Sequence, residues 1–311
     1  MSFAFVFPGQ GSQSVGMMSA YGDSAVALST FIEASEALNQ DLWQLASDGP
    51  AELLSQTVNT QPLMLTAAIA VYRVWLDRGG RQPAVVAGHS LGEYSALVAA
   101  GVVDFRDAVS LVRLRATAMQ DAVPAGAGAM AAILNLDEGK IREACAEAQA
   151  ELAGQVVEPV NFNAPEQTVI AGSKAAVERA CAICKSRGAK RAVLLPVSAP
   201  FHSSLIRPAA DRLAARLDEL EFRAPAIPLV NNVDVAVETD PARIKDALVR
   251  QTYSPVRWVE TVRRIAGMGV ANIAECGPGK VLAGLVRRCA DGFDGIALCD
   301  AASIEANLNL E

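Results

Sequence analysis

A chain of 311 residues, 51% of them hydrophobic, has room for about two domains and ample apolar material for their cores. Its formal net charge of −7 argues against nucleic acid or an anionic membrane surface as the principal partner. The longest apolar runs, such as 63–71, reach about half of the ~20 residues a membrane span needs. No basic n-region precedes the first apolar run, so no signal peptide is expected. Six cysteines in a chain this long make no disulfide framework, and a reducing, cytoplasmic setting follows as the expectation.

Residues 3–7, Phe-Ala-Phe-Val-Phe, read as a strand running into Pro8-Gly9-Gln10-Gly11-Ser12-Gln13. This glycine loop lacks the third glycine of the dinucleotide fingerprint, Ser14 standing in its place. A better use for it is to lend a backbone N–H to an oxyanion. Helical patterns follow over 23–39 and 50–55. Asn59-Thr60-Gln61-Pro62 then punctuates the chain before a long apolar helix expected over 62–77.

Ala84-Val85-Val86-Ala87 reads as a buried strand, and the Ala/Leu-rich run up to Gly101 reads as a helix. Between them stands Gly88-His89-Ser90-Leu91-Gly92, a G-x-S-x-G. In that context the pattern is a strained strand-to-helix turn that lifts a serine hydroxyl above the sheet. The free N–H groups of the following helix then favour an oxyanion. Ser90 is the candidate nucleophile; a tight glycine turn carrying a solvated serine is the plainer alternative.

Asp104 is expected to cap a helix over 105–121. On that helix Arg115 is the single charge among Ala108, Leu111, Val112, Ala118, Met119 and Ala122 on one face. A buried guanidinium needs an anion. An internal carboxylate, a stem that snorkels to water, or a substrate carboxylate held by two parallel hydrogen bonds would each serve.

Pro124-Ala125-Gly126-Ala127-Gly128 breaks the composition. Beyond it the pattern gives strand 129–134, helix 137–152, strands 156–162 and 167–171, helix 173–187 and strand 191–197. This β-α-β-β-α-β order is the ferredoxin-like arrangement. It predicts a small unit, 126–197, inserted into a larger α/β domain made of 1–125 and 198–311. Cys181 and Cys184 form a C-x-x-C, but no second pair supplies a zinc site. With Val177 and Ala180 they share one helical face, which predicts packing rather than metal or redox chemistry.

Ser198-Ala199-Pro200-Phe201-His202-Ser203 returns the chain to the large domain. The chain holds two histidines, His89 and His202, and the ring beside the serine must point elsewhere. His202 is therefore the general base by elimination. No acid stands out to orient it, and the order departs from the Ser, acid, His of an ordinary α/β-hydrolase. A backbone carbonyl or an amide would have to hold the imidazole. Helix 205–220, strand 227–232, helices 241–251 and 258–268, strand 270–275, the turn Cys276-Gly277-Pro278-Gly279 and helix 280–290 complete the fold, with 301–311 read as a soft tail.

Taken together, Phe7-Pro8-Gly9-Gln10-Gly11-Ser12-Gln13, Gly88-His89-Ser90-Leu91-Gly92, Arg115, Pro200-Phe201-His202-Ser203, Gln251 with Pro255-Val256-Arg257-Trp258, and Glu275-Cys276-Gly277-Pro278-Gly279-Lys280 make a set. The chain resembles, essentially end to end, the malonyl-CoA:acyl carrier protein transacylases of bacterial fatty acid synthesis. The same motifs relate it to the acyltransferase domains of polyketide synthases. The resemblance implies an α/β-hydrolase-like catalytic domain and a Ser-His dyad working by ping-pong acyl transfer. It implies Ser90 as nucleophile, His202 as base and the backbone N–H groups of Gln10 and Leu91 as oxyanion hole. Arg115 would bind the substrate carboxylate, Gln251 would orient the histidine through its main-chain carbonyl, and Asn161 and Asn163 would line the CoA side. Phe201 matches the malonyl-type rather than the methylmalonyl-type pattern.

No cofactor or metal is implied, since malonyl-CoA and the carrier's phosphopantetheine are substrates, and a monomer is expected. Carrier proteins are acidic, so docking needs a local basic patch. Lys185, Arg187, Lys190 and Arg191 at the end of the small unit, with Arg287 and Arg288 on the last helix, are the candidates. A serine thioesterase using the same pair, and a non-catalytic carrier- or dinucleotide-binding module, are the competing readings. The pathway served, fatty acid synthesis or a polyketide or malonate route, has no signature in the sequence.

Overall fold

The computed structural model describes residues 2–197 and 199–310. Ser198, at the expected return to the large domain, lies outside the described residues. The chain opens with β1 (Ser2–Phe7), then α1 (Ala25–Leu38), α2 (Leu42–Asp48), α3 (Ala51–Leu54) and α4 (Thr57–Asp77). Next come β2 (Val85–Gly88), α5 (Gly92–Ala99) and α6 (Phe105–Asp121), the last capped by the Asp104 carboxylate on the Arg106 N–H. The small unit holds β3 (Gly128–Leu134), α7 (Glu138–Glu151), β4 (Val157–Ala164), β5 (Gln167–Ser173), α8 (Lys174–Ser186) and β6 (Arg191–Leu194). The chain then returns through α9 (Arg207–Glu219), β7 (Leu229–Val230), α10 (Pro241–Gln251) and α11 (Trp258–Ala266). It ends with β8 (Val270–Cys276), α12 (Val281–Cys289), β9 (Gly295–Leu298) and α13 (Ala301–Asn307).

The large unit is a five-stranded parallel sheet in the order β7-β2-β1-β8-β9. β1 is central and buried on both faces, which is why it reads as a continuous apolar run. Its odd residues Phe3, Phe5 and Phe7 pack on α4, with the rings of Phe5 and Trp75 edge to face at 5.3 Å. Its even residues Ala4 and Val6 meet Trp258, Val262 and Leu282 on the other side.

The small unit is a four-stranded antiparallel sheet in the order β4-β5-β3-β6. One face packs on α7 and α8 through Ala131, Ile133, Val177 and Ile183. The other presents Met130, Val160 and Val169 to Ala118, Met119 and Phe201 of the large unit. Cys181 and Cys184 sit in the small core, where burial pushes both thiols up to about 11.

Five expectations are corrected. The helix expected at 62 begins at Thr57, with Pro62 inside it. Burial of Thr60, Gln61 and Pro62 outweighs the missing backbone donor, and the Thr66 hydroxyl donates to the Pro62 carbonyl at 2.7 Å. The expected 50–55 helix is the short α3, and α2 precedes it unforeseen. The supposed tail beyond 301 is ordered: β9 closes the sheet and a capping box between Asp300 and Ser303 starts α13. Ile304 and Leu310 are buried, and Arg81 donates to the Leu310 carbonyl at 2.9 Å. The strand foreseen at 227–232 shrinks to two residues, and β6 stops at Leu194, with the Leu195 N–H still donating to the Met130 carbonyl at 2.9 Å.

Candidate active site

Ser90 stands between β2 and α5 in the left-handed region, φ 52°. The turn requires its glycines: a Cβ on Gly88 would come within 1.9 Å of the Gly92 carbonyl carbon, and one on Gly92 within 2.0 Å of the Phe7 oxygen. The strained peptide is held at both ends. The Ser90 N–H donates to Asn232 Oδ1 at 2.7 Å, and the Ser90 carbonyl accepts from Gln251 Nε2 at 3.1 Å. Such strain persists where the surroundings over-determine it.

His202, also left-handed at φ 65°, is 4% exposed and places Nε2 2.6 Å from Ser90 Oγ. Its Nδ1 lies 2.8 Å from the Gln251 main-chain oxygen. A carbonyl can only accept, so Nδ1 carries the proton and Nε2 is free to accept the serine proton. Burial first, and the Arg115 charge second, push the imidazole down to about 3. The ring is neutral at any ordinary pH. His89 turns away from Ser90: its Nε2 meets Asn163 Oδ1 at 2.8 Å, and its ring packs edge-on to Trp258.

Arg115 is 1% exposed and its polar partners are neutral. Nη1 donates to Gln61 Oε1 at 2.7 Å, while Nη2 donates to Gln251 Oε1 at 2.9 Å and to Ser90 Oγ at 3.2 Å. The guanidinium lies over the Tyr94 ring, and Nε has no partner among the described residues. Neither the internal ion pair nor the snorkelling stem is realised among the described residues. The cavity between the two units thus offers a buried cation next to a hydroxyl and a neutral imidazole. Its walls are apolar, formed by Met119, Met130, Val169, Leu195 and Val197.

Gln10 and Leu91 flank Ser90 on this cavity, and their backbone N–H groups have no acceptor among the described residues. Asn161 and Asn163 line it from β4. Gln61, Asn232 and the side chain of Gln251 are part of the site without having been foreseen. The nearest available signal was Gln61 itself, a polar residue directly before the apolar run of α4. Of the basic candidates, Arg187 is spent on Glu143 and Glu147, and Arg288 on Glu166 and Gln167. Lys185, Lys190, Arg191 and Arg287 have no ion-pair partner among the described residues.

The fold and the site define an α/β protein with a serine on a strand-to-helix turn, a histidine hydrogen-bonded to it and a buried arginine whose hydrogen-bond partners are neutral. The acyl transferase domain family matches residues 4–303. The malonyl CoA-acyl carrier protein transacylase of Escherichia coli K12 is 57% identical over 309 residues, covering 99% of each chain, and that of Bacillus subtilis is 45% identical over 303. A crystal structure of acyl-carrier-protein S-malonyltransferase from Burkholderia pseudomallei superposes with a TM-score of 0.97 at 61% identity over all of both chains. A malonyl-transacylase in complex with a type II polyketide acyl carrier protein matches equally, TM-score 0.97 at 51% identity over all of both chains. The chain belongs to the acyl transferase family, among its malonyl CoA-acyl carrier protein transacylases.

Proposed function

We propose that this chain moves a malonyl group from CoA to the phosphopantetheine thiol of an acyl carrier protein, through a malonyl ester on Ser90. The observation that carries this reading is Arg115, a buried cation bonded directly to no carboxylate among the described residues, 3.2 Å from Ser90 Oγ. A malonyl carboxylate supplies the missing charge through two parallel hydrogen bonds and sets the thioester carbonyl beside Oγ. His202 Nε2 takes the Ser90 proton as Oγ bonds to that carbonyl carbon. The oxyanion forms against the N–H groups of Gln10 and Leu91, each donor worth roughly 3 kcal/mol in comparable sites. The intermediate collapses by breaking the C–S bond, and the imidazolium returns its proton to the departing CoA thiolate. The carrier thiol then runs the same steps in reverse.

As the carboxylate arrives, Arg115 gives up Ser90 Oγ and its charge is neutralised. The largest charge effect that depresses His202 is thereby removed, so the base strengthens when the correct acyl group is present. No cofactor enters, because serine, histidine and two thioesters supply every reacting group. The proposal includes a cytoplasmic setting, supported by six free thiols, and a monomer. It also reads the large unit as α/β-hydrolase-like, on the nucleophile turn after β2. The small unit it reads as ferredoxin-like, on its β-α-β-β-α-β order and antiparallel pairing.

Intact mass after brief mixing with malonyl-CoA, followed by a chase with holo-carrier, tests the reading. A malonyl adduct on Ser90 that survives water and is cleared by carrier is the expected result. Rapid loss of the adduct to water would mean a hydrolase, and no adduct would mean a binding module. For the carrier, Lys190, Arg191 and Arg287 are the docking groups we assign, with Arg288 contributing once released from Glu166. Arg191→Glu should raise the KM for carrier by about 3- to 10-fold and leave the KM for malonyl-CoA unchanged. Steady-state kinetics with each substrate varied in turn would reject the patch if both stay constant.

A further inference from the structure

Glu93 directly follows the second glycine of the nucleophile turn, opens the first turn of α5 and is 2% exposed. No step of the acyl transfer uses it. A buried carboxylate is costly unless it is well bonded. Two donors converge on one of its oxygens: the Asn232 backbone N–H at 3.0 Å and Gln251 Nε2 at 2.9 Å on Oε2. Those partners are the same two that clasp Ser90. Asn232 also donates to the Gly88 carbonyl at 2.7 Å, tying the turn to the end of β2.

The decisive point is the direction of the Gln251 amide. A carboxylate offers acceptors only, so Gln251 must turn its NH₂ toward Glu93. Its Oε1 is thereby committed to Arg115 Nη2, at 2.9 Å. With the amide reversed, two donor groups would face each other and the guanidinium would lose its aim. The charges also agree: Glu93 and Arg115 are opposite in sign, joined through one amide.

We propose that Glu93 is a positioning residue for acidic acyl groups, orienting Arg115 through Gln251 and the Ser90 turn through Asn232 without touching the acyl group. This rests on the malonyl-transfer reading. Burial pushes the Glu93 carboxyl up to about 7. The ionisable groups facing it are Arg115 from α6, Asp234 after β7 and Tyr94 beside it on α5. Arg115 favours the anion and Asp234 opposes it. Protonation puts an O–H among these donors and removes the charge, so the selectivity it sets weakens as pH falls through about 7.

The test uses the full-length protein, with holo-carrier as acceptor and malonyl-CoA or acetyl-CoA as donor, over pH 5.5 to 8.5 as a working range of about three units. Glu93→Ala should lower kcat/KM about 100-fold for malonyl and about 10-fold for acetyl, since only malonyl needs Arg115. Glu93→Gln, a neutral counterpart of the protonated carboxyl whose amide oxygen still accepts both N–H groups, should hold the malonyl-to-acetyl ratio at the parent's low-pH value throughout, above that of Glu93→Ala, and so abolish the bend near pH 7. Equal losses for both donors in Glu93→Ala, or a bend that persists in Glu93→Gln, would overturn the proposal. Should Glu93→Ala fail to fold by circular dichroism, Glu93→Asp withdraws the carboxylate by one methylene and must lower the same ratio. If the parent protein forms no malonyl ester, the functional reading itself fails; if it does and the ratio holds in the variants, only the role of Glu93 does.

Discussion

Arg115→Ala lowers kcat/KM for malonyl transfer by about 10³-fold and that for acetyl transfer by less than about 10-fold, the size expected when one partner of a buried, hydrogen-bonded charge pair is removed. The asymmetry follows from geometry. The direct hydrogen-bond partners of Arg115 are neutral, so its guanidinium can exchange them for a ligand anion, and an acetyl group presents none. Arg115→Lys should recover little, because one ammonium cannot reproduce two parallel N–H bonds or lie flat on Tyr94. Parallel kinetics with the two acyl donors check this, and equal losses for both would dismiss the carboxylate role.

Ser90→Ala abolishes the acyl-enzyme, and His202→Ala lowers kcat/KM by about 10⁴-fold, the upper end for a positioned general base. The double variant should be no worse than Ser90→Ala alone, because the imidazole works only through Oγ, 2.6 Å away. The pH behaviour is equally specific. An ordinary histidine base titrates near 6.5 and loses activity below it. His202 is held down to about 3, so its own protonation sets no acid limb above about pH 4. Transient mass spectrometry and pH-rate profiles with acetyl-CoA test both statements; a limb near 6.5 that survives Glu93→Gln would mean that His202 is not held down.

What could be read from the sequence depended on whether the chemistry was local. Ser90 was legible because glycines two residues either side dictate its turn. Arg115 was legible because one helical face exposes a lone charge, and His202 because the chain has so few histidines. Gln61, Asn232 and Glu93 were not, since they come from separate segments and acquire meaning only when the parallel sheet brings α4, the end of β7 and the start of α5 together. Neutral amides carry no signature of their own. Gln251 was half legible: its carbonyl came from a resemblance, while its side chain, joining Arg115, Ser90 and Glu93, came from topology alone. The ordered C-terminal segment was missed because β9 is four residues long and its pairing with β8 is non-local. Pro62 misled for the opposite reason, a strong local breaker overruled by tertiary burial.

The small unit enters and leaves the large one at a single point. A Cβ on Gly128, at its entry, would fall 2.4 Å from the Pro200 ring at its exit. Met130, Val169, Leu195 and Val197 nevertheless line the acyl cavity from that inserted segment, while Ser90, His202 and Arg115 all belong to its host. The cavity wall is therefore shared: the insert lends it four apolar side chains, while the host adds Met119 and Phe201 to the Ser90, His202 and Arg115 cluster. The insert is also bonded back to the host, Asn163 to His89 and Glu158 to the Ser204 N–H, so a change in its seating would reach the residues around Ser90.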